Sequence, residues 1–531
     1  MLNLLTNPWL PVLRRNGSTC VIAPSAITED FADNPVIAID WPRADFRIAT
    51  LELLIGLLAT ACPPADEDDW LDAWETPPAP DALAAAFAPF AAAFMLDGDG
   101  PRFSQDFAPL EADEEPAENL LIEVAGNSGL LVHPGRIARL GRPAAAIALY
   151  TLQSWAPSGG RGNRTGLRGG GPLVSLVVPR LPKHATLWHR LWANVPLGRR
   201  PEPAAFPRIF PWLAPTITSE GSQVVTPEDV AHPLQAWWGM PRRIRLSFEN
   251  LPAPAPCGLT GAADTVAVTG WRQRPYGPNY IGWGKQHPLT PTYQAKPGEE
   301  VLPLHPQPGG IGYRNWIGLV LSSRDGLRQP APIISTWRDG RYGDTREARA
   351  ARLLVAGYDM SNMKARGLLE AEMPLILAET KEAQDRLDAL AYALVRASDQ
   401  ASRLLRQAVR QALFSPGSKV GTDAQAIASL GERLWLETEG AFFAALEAAL
   451  TLDDTAPERA AWQRRLRDLA LRLFDEAAPL EPLAKDNARQ AKARRFLLFA
   501  LNGYGKDGQA FFEPLELPLP APAERPKGKA A

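Results

Sequence analysis

Residues 401–413 read ASRLLRQAVRQAL, and Ala401, Leu404, Leu405, Ala408, Val409, Ala412 and Leu413 recur at i, i+3, i+4 and i+7. That spacing puts the apolar side chains on one face of an amphipathic helix, with Arg403, Arg406 and Arg410 on the opposite face. Working outward, similar stretches occur at about 376–398, 424–450, 457–478 and 483–502, separated by Ser415-Pro416-Gly417, Asp453-Asp454 and the segment from Pro479 to Pro482. Breakers at those intervals predict an up-and-down C-terminal four-helix bundle over 367–513. Proline agrees: 381–513 holds only Pro416, Pro457, Pro479 and Pro482, whereas 1–380 holds 43 of the 52 prolines. The tail 514–531, PLELPLPAPAERPKGKAA, holds five and reads as extended or disordered, with room for part of it to pack as an ordered strap.

Proline fixes φ and removes a donor, so residues 1–366 are expected to be a large mixed α/β domain of short elements joined by long loops. Strand-like runs lie at 120–124, 173–178, 244–248, 265–268 and 317–322, and helical stretches at 45–60, 81–96 and 143–154. Without βαβ alternation the class is α+β. A chain of 531 residues with 22% charged and 46% apolar residues is neither disordered nor a membrane protein. The longest apolar run, 82–96, contains Pro89 and is too short to cross a bilayer. A net charge of -3 excludes a uniformly basic protein and leaves room for a local basic groove.

Motifs for catalysis do not emerge. Cys20, Cys62 and Cys257 are far apart and form no CxxC, so neither a disulfide framework nor a four-cysteine zinc site is expected, and a reducing, cytoplasmic setting is. The six histidines form no helical zinc-protease pair, and neither GxSxG nor GxxxxGK[ST] occurs. The acidic groups at 66–69 and 111–118 read as solvated charge in loops.

One segment stands apart. Gly159, Gly160, Gly162, Gly166, Gly169, Gly170 and Gly171 fall within 13 residues, interleaved with Arg161, Arg164 and Arg168. Glycine allows close main-chain approach and φ > 0, and arginine neutralises an anion, so contact with nucleic acid and a flexible connection both fit. A phosphate- or nucleotide-binding enzyme cradling its ligand in 159–171 is the alternative from another class. In the helical part, Lys485, Arg489 and Lys492 form a second basic face beside that of Arg403, Arg406 and Arg410. An ordinary solvated helix face and a path for a single nucleic-acid strand are both open.

In context, Ala156-Pro157 through Thr165-Gly166-Leu167-Arg168-Gly169-Gly170 resembles the large subunit of type I-E CRISPR Cascade, the CasA family. So do Asn3-Leu4-Leu5 to Trp9-Leu10-Pro11-Val12, Pro42-Arg43 and the helix after it, Thr269-Gly270-Trp271, Gly357-Tyr358 and the surroundings of Glu432-Arg433, in that order from residue 3 to about 505. The resemblance implies a non-enzymatic subunit that reads the protospacer-adjacent motif on double-stranded DNA and opens the duplex for guide-RNA pairing. It also implies help in recruiting the helicase-nuclease.

Carried onto this chain, the family's glycine loop falls at Ser158, Gly159, Gly160, Arg161 and Gly162, where Arg161 interrupts the glycine run. Its basic side chain falls at Arg274, with Arg272 in reserve. Its wedge falls at Ser361, Asn362, Met363 and Lys364, with Asn362 at the tip and Met363 able to intercalate. His133, Arg136, Arg139 and Arg142 coincide with the loop that docks near the 5′ handle of the guide RNA. The basic faces of the bundle would guide the displaced strand. Implied partners are target DNA, guide RNA, the backbone, handle-binding and small subunits, and the helicase-nuclease. Of a zinc-binding cysteine cluster found in some members only Cys257 remains, so no metal and no cofactor is expected.

Overall fold

Residues 44–61, ADFRIATLELLIGLLATA, are buried at nearly every position, as a helix apolar on all sides must be. This helix, α1 (Ala44–Ala61), is the centre of the first unit. A computed structural model describes residues 1–124, 133–157, 159–160, 162–340, 350–361, 364–415, 417–422, 424–480 and 487–520. They divide into two units, 1–308 with 318–375, and 309–317 with 376–531.

In the first unit β1 (Leu10–Arg14), β2 (Thr19–Ile22) and β3 (Val36–Ile39) form an antiparallel sheet with β1 central. α2 (Glu67–Glu75), capped by the Asp66 side chain, and α3 (Pro80–Phe87) follow α1. A second sheet sets β4 (Glu114–Pro116) and β5 (Leu140–Gly141) against one long strand; from β5 the chain enters α4 (Arg142–Trp155) directly. β6 (Val174–Pro179) is buried throughout. β7 (Arg243–Pro256) and β8 (Ala263–Arg274) make the long antiparallel ladder of the second sheet. β9 (Thr292–Tyr293), β10 (Leu302–Pro303) and β11 (Arg328–Gln329) form a minor sheet. β12 (Ala351–Ser361) and β13 (Lys364–Leu375) form a hairpin whose β12 also pairs with β6.

The α+β class stands, and several expected elements move. Residues 120–124 are the end of a 3-10 turn and a bend, with Leu120, Leu121 and Ile122 buried. At 317–322 the strand expectation fails because Gly318 takes φ +108, which a regular strand does not accommodate, and 316–319 form one helical turn. The 81–96 run breaks into α3 and a 3-10 turn containing Pro89. The break expected at 366/367 lies inside β13; the ladder carries the first unit to Leu375.

The second unit is built on α5 (Lys381–Leu413), whose N-cap Thr380 accepts from the Ala383 N–H at 3.2 Å. The stretches 376–398 and 401–413 join in this one 33-residue helix, because nothing between them interrupts the ladder. α6 (Gln425–Ala449), α7 (Ala456–Ala477) and α8 (Asn487–Leu501) pack around it, followed by the short α9 (Gly505–Phe512). Tyr313, from the segment 309–317, is fully buried in this unit: its hydroxyl lies 2.6 Å from Thr438 Oγ1 and 3.1 Å from Ser398 Oγ, and its ring stacks on Phe442. The tail is not wholly extended: Glu513–Leu515 form a 3-10 turn, Leu515 is buried and Glu516 pairs with Arg459. Residues 521–531 lie outside the described residues.

Candidate nucleic-acid interface

The glycine segment divides into two parts with different work. Gly159, Gly160 and Asn163 close a tight turn: Asn163 N–H donates to Gly160 O at 3.1 Å, and Asn163 Nδ2 donates to Gly159 O at 3.0 Å. Gly160 and Gly162 take φ of +82 and +78, a region costly to other residues. Gly159 and Gly160 are exposed, and nothing lies within 4 Å of where a Cβ on Gly160 would stand. Ser158 and Arg161 lie outside the described residues.

The turn is moored to the end of β8. Tyr276 N–H donates to Gly162 O at 2.7 Å, Gln273 Nε2 donates to Asn163 Oδ1 at 2.5 Å, and a Cβ on Gly162 would stand 2.7 Å from that of Pro275. Arg274 is thereby brought beside the turn, exposed, with Nε on the carbonyl of Glu111 at 2.9 Å. Arg272 sits further down the ladder, with Nη1 on Ser247 Oγ at 3.3 Å and Nη2 3.6 Å from Glu114. Below the turn is a residue the sequence reading passed over. Arg242 is only 8% exposed, and its guanidinium donates to Pro157 O.

Residues 164–171 turn inward. Arg168, read from composition as a ligand cation, is 3% exposed, pairs with Glu52 on α1 and donates to Thr290 Oγ1 at 3.2 Å. Arg164 donates to Ser219 Oγ at 3.3 Å. Burial alone would raise the Glu52 carboxyl, but Arg168 and His287 outweigh it and hold it below its ordinary range. The phosphate cradle of the alternative reading therefore loses Arg168 to the interior. At the far end Gly171 takes φ +67, and a Cβ there would lie 2.5 Å from the Tyr358 carbonyl oxygen.

Tyr358 roots the β12–β13 hairpin. Its hydroxyl donates to Asp45 Oδ2 at 2.7 Å, Asp45 pairs with Arg43 at 2.6 Å, and Arg43 also pairs with Glu123. The Pro42-Arg43 and Gly357-Tyr358 landmarks are thus two sides of one buried contact. From this root the hairpin runs outward through a register shift between Asp359 and Met360, braced by Arg366 on Asp359 at 2.6 Å, to the Ser361–Lys364 pair. Asn362 and Met363 lie outside the described residues, between the paired ends. Ser361 and Lys364 thus stand at the end of a strand pair.

His133, Arg136 and Arg139 are exposed on a loop held by the buried Glu118 carboxylate, which accepts from Gly135 N–H at 2.6 Å and Ile137 N–H at 3.2 Å. Glu118 is therefore not solvated charge. Arg142 differs from its neighbours in the expected docking set: it begins α4 and its guanidinium is spent on Asp264 at 2.7 Å and Asp97 at 3.2 Å. In the second unit Arg403 and Lys492 are exposed and Arg406 is half-buried. Arg410 donates to the carbonyls of Val420 at 2.5 Å and Ser418 at 3.0 Å, and Arg489 to that of Ala412 at 2.9 Å. The two basic stripes thus meet at the C-terminal end of α5, where the carbonyls left without helical partners attract cations. Lys485 lies outside the described residues.

Among the described residues no three His, Cys, Asp or Glu side chains gather into a metal-holding group, and no helix is long and apolar enough to cross a membrane.

The architecture is that of a CRISPR-associated protein. It shares its fold with Thermus thermophilus CasA (Cse1), at TM-score 0.67 and 19% identity over 97% of this chain and 99% of that one. Thermobifida fusca Cse1 matches at TM-score 0.68 and 19% identity over 97% and 98%. A chain of a CRISPR RNA-guided surveillance complex matches at 0.67 and 16% over 94% and 99%. The family model of CRISPR-associated protein Cse1 matches residues 3–473, and this chain belongs to that family. The resemblance read from the sequence is borne out.

Proposed function

We propose that the chain is the large subunit of a type I-E Cascade surveillance complex, where it inspects the protospacer-adjacent motif of double-stranded DNA and opens the duplex beside it. What supports this reading, beyond family membership, is one juxtaposition. The exposed glycine turn is fastened at Gly162 to the strand end that carries Arg274, while Gly171 of the same segment abuts the root of the β12–β13 hairpin. A reader and a wedge would then share one rigid support, as splitting a base pair next to a recognised one requires.

In this reading, main chain at 158–162 approaches the minor groove, whose edge distinguishes A·T from G·C better than A·T from T·A. Arg274 supplies a cation there; Arg272, already facing Glu114, is the weaker candidate. Asn362 and Met363 enter the stack, His133, Arg136 and Arg139 meet the guide-RNA handle or a neighbouring subunit, and Arg403 and Lys492 touch the displaced strand. Recruitment of a helicase-nuclease belongs to the same proposal. Because partner subunits neutralise many phosphates, a chain of net charge -3 suffices.

The test is reconstitution with guide RNA and the other subunits, followed by selection of bound duplexes from a library with randomised flanks. The unaltered complex should enrich a short motif, and Arg274→Ala should flatten that enrichment while assembly persists. An identical motif profile for Arg274→Ala rejects its assignment, and no enrichment for the unaltered complex rejects the function.

A further inference from the structure

Arg242 has a puzzling environment. Its main chain is clamped by Gln153 near the end of α4, which accepts from Arg242 N–H at 3.0 Å and donates to Arg242 O at 2.8 Å. The backbone at this position is thus fixed without help from the guanidinium. Its guanidinium meets no carboxylate among the described residues, its Nε has no partner, and its neutral acceptor is the Pro157 carbonyl. A buried cation without an anion is costly, and proteins of marginal stability seldom keep one that a neutral donor could replace.

Gly159 supplies the second observation. A Cβ there would stand 2.8 Å from both Nη1 and Nη2 of Arg242. Gly159 is outside the left-handed region, so backbone conformation does not demand glycine; its neighbours do, Asn163 Cβ at 2.7 Å from that position and the guanidinium beside it. The missing side chain lets the cation come up directly under an exposed turn. Burial pulls it down to about 10, which leaves it charged at neutral pH.

We propose that Arg242 is the cation that neutralises a backbone phosphate of double-stranded DNA seated on the glycine turn, with Gly159 the opening through which it acts. A phosphodiester matches the planar guanidinium fork and supplies the missing charge. The proposal rests on the function proposed above and adds a binding residue to it. Gly160 leaves open space on the same turn, and Arg274 stands at the strand end to which that turn is fastened.

The experiment uses the complete complex and a labelled duplex carrying the selected flank but no match to the guide, so that strand opening does not contribute. Dissociation constants are measured from about 50 to 300 mM salt, the range in which counterion release governs binding. Arg242→Gln should reduce the slope of log K against log salt by about 0.9, one phosphate's share, and Arg242→Lys should retain it. Gly159→Ala, which drives a methyl against both Asn163 Cβ and the guanidinium, should lose a similar increment, and the double variant no more than either alone. Weaker binding with unchanged slope in Arg242→Gln would mean a neutral brace and overturns the proposal, as does behaviour identical to the unaltered complex. If Arg242→Gln does not assemble, an unchanged slope in Gly159→Ala overturns it. A complex without any flank preference defeats the parent reading and this one together; a clear preference with unchanged slopes defeats only Arg242.

Discussion

Glu52 is 1% exposed in the middle of α1, and Arg168 closes on it from the glycine segment. The pair ties the inner half of that segment to the core helix, so the outer half can stand free without the whole loop wandering. Removing one partner strands a buried charge: Glu52→Gln should cost about 3–5 kcal/mol in the denaturant unfolding of the full chain. Replacing both residues by methionine should cost less than the single change. Equal stability of Glu52→Gln and the unaltered chain would show that the ion pair carries no weight. Arg168 also shows why composition misled at this scale. Arginine among glycines looks the same whether the loop faces an anionic ligand or an internal carboxylate, and only the depth of α1 distinguishes the two. That the segment's glycines could take φ > 0 was legible, but not that Gly162 and Gly171 do so, nor what each one makes room for. Arg242 was illegible, since one arginine beside Arg243 and Arg245 is ordinary until its missing counter-charge is seen.

The β12–β13 hairpin is the element on which duplex opening depends in the proposed function. Because Tyr358, Asp45 and Arg43 fasten its root, a load applied at its tip is transmitted to the core. Asn362→Ala with Met363→Ala should leave assembly and flank preference intact and slow R-loop formation about tenfold or more. Tenfold corresponds to about 1.4 kcal/mol of the few kcal/mol that unstacking a step costs. Stopped-flow kinetics unchanged by the double substitution would remove the wedge assignment. Elements with a clean period were readable beforehand: α4, β6, the first strands of the β7–β8 ladder and the helices around 401–413 lie where apolar spacing put them. This hairpin was missed because β12 pairs on both sides and Leu353 to Tyr358 are buried without alternation, a run that periodicity cannot assign.

For the whole molecule, acid should be the sensitive variable. His189 is pushed down to about 3 by burial and by the neighbouring His184 and Lys183, against the opposing pull of the Trp74 carbonyl. His287 is pushed down to about 4 by burial and Arg168, against Glu52. In the unfolded chain both titrate near 6.5, so on acidification the unfolded state takes up protons that the folded state refuses, and stability falls with pH. Each group contributes about 1.4 kcal/mol per pH unit between about pH 6 and 4, with Glu52 adding its loss below that window. The thermal midpoint should therefore drop between pH 7 and 4, and His189→Gln should make the decline shallower; a midpoint flat over that range would show that the imidazoles are not buried neutral. The order in which the chain is made adds a separate constraint. Tyr313 is synthesised 85 residues before Ser398 and 125 before Thr438, yet its only described hydroxyl partners are those two. A ribosome thus releases an aromatic plug long before its socket exists. Cutting the gene after codon 375 would leave one fragment carrying an orphaned tyrosine and the other a hollow centre, so neither is a faithful stand-in for the intact polypeptide.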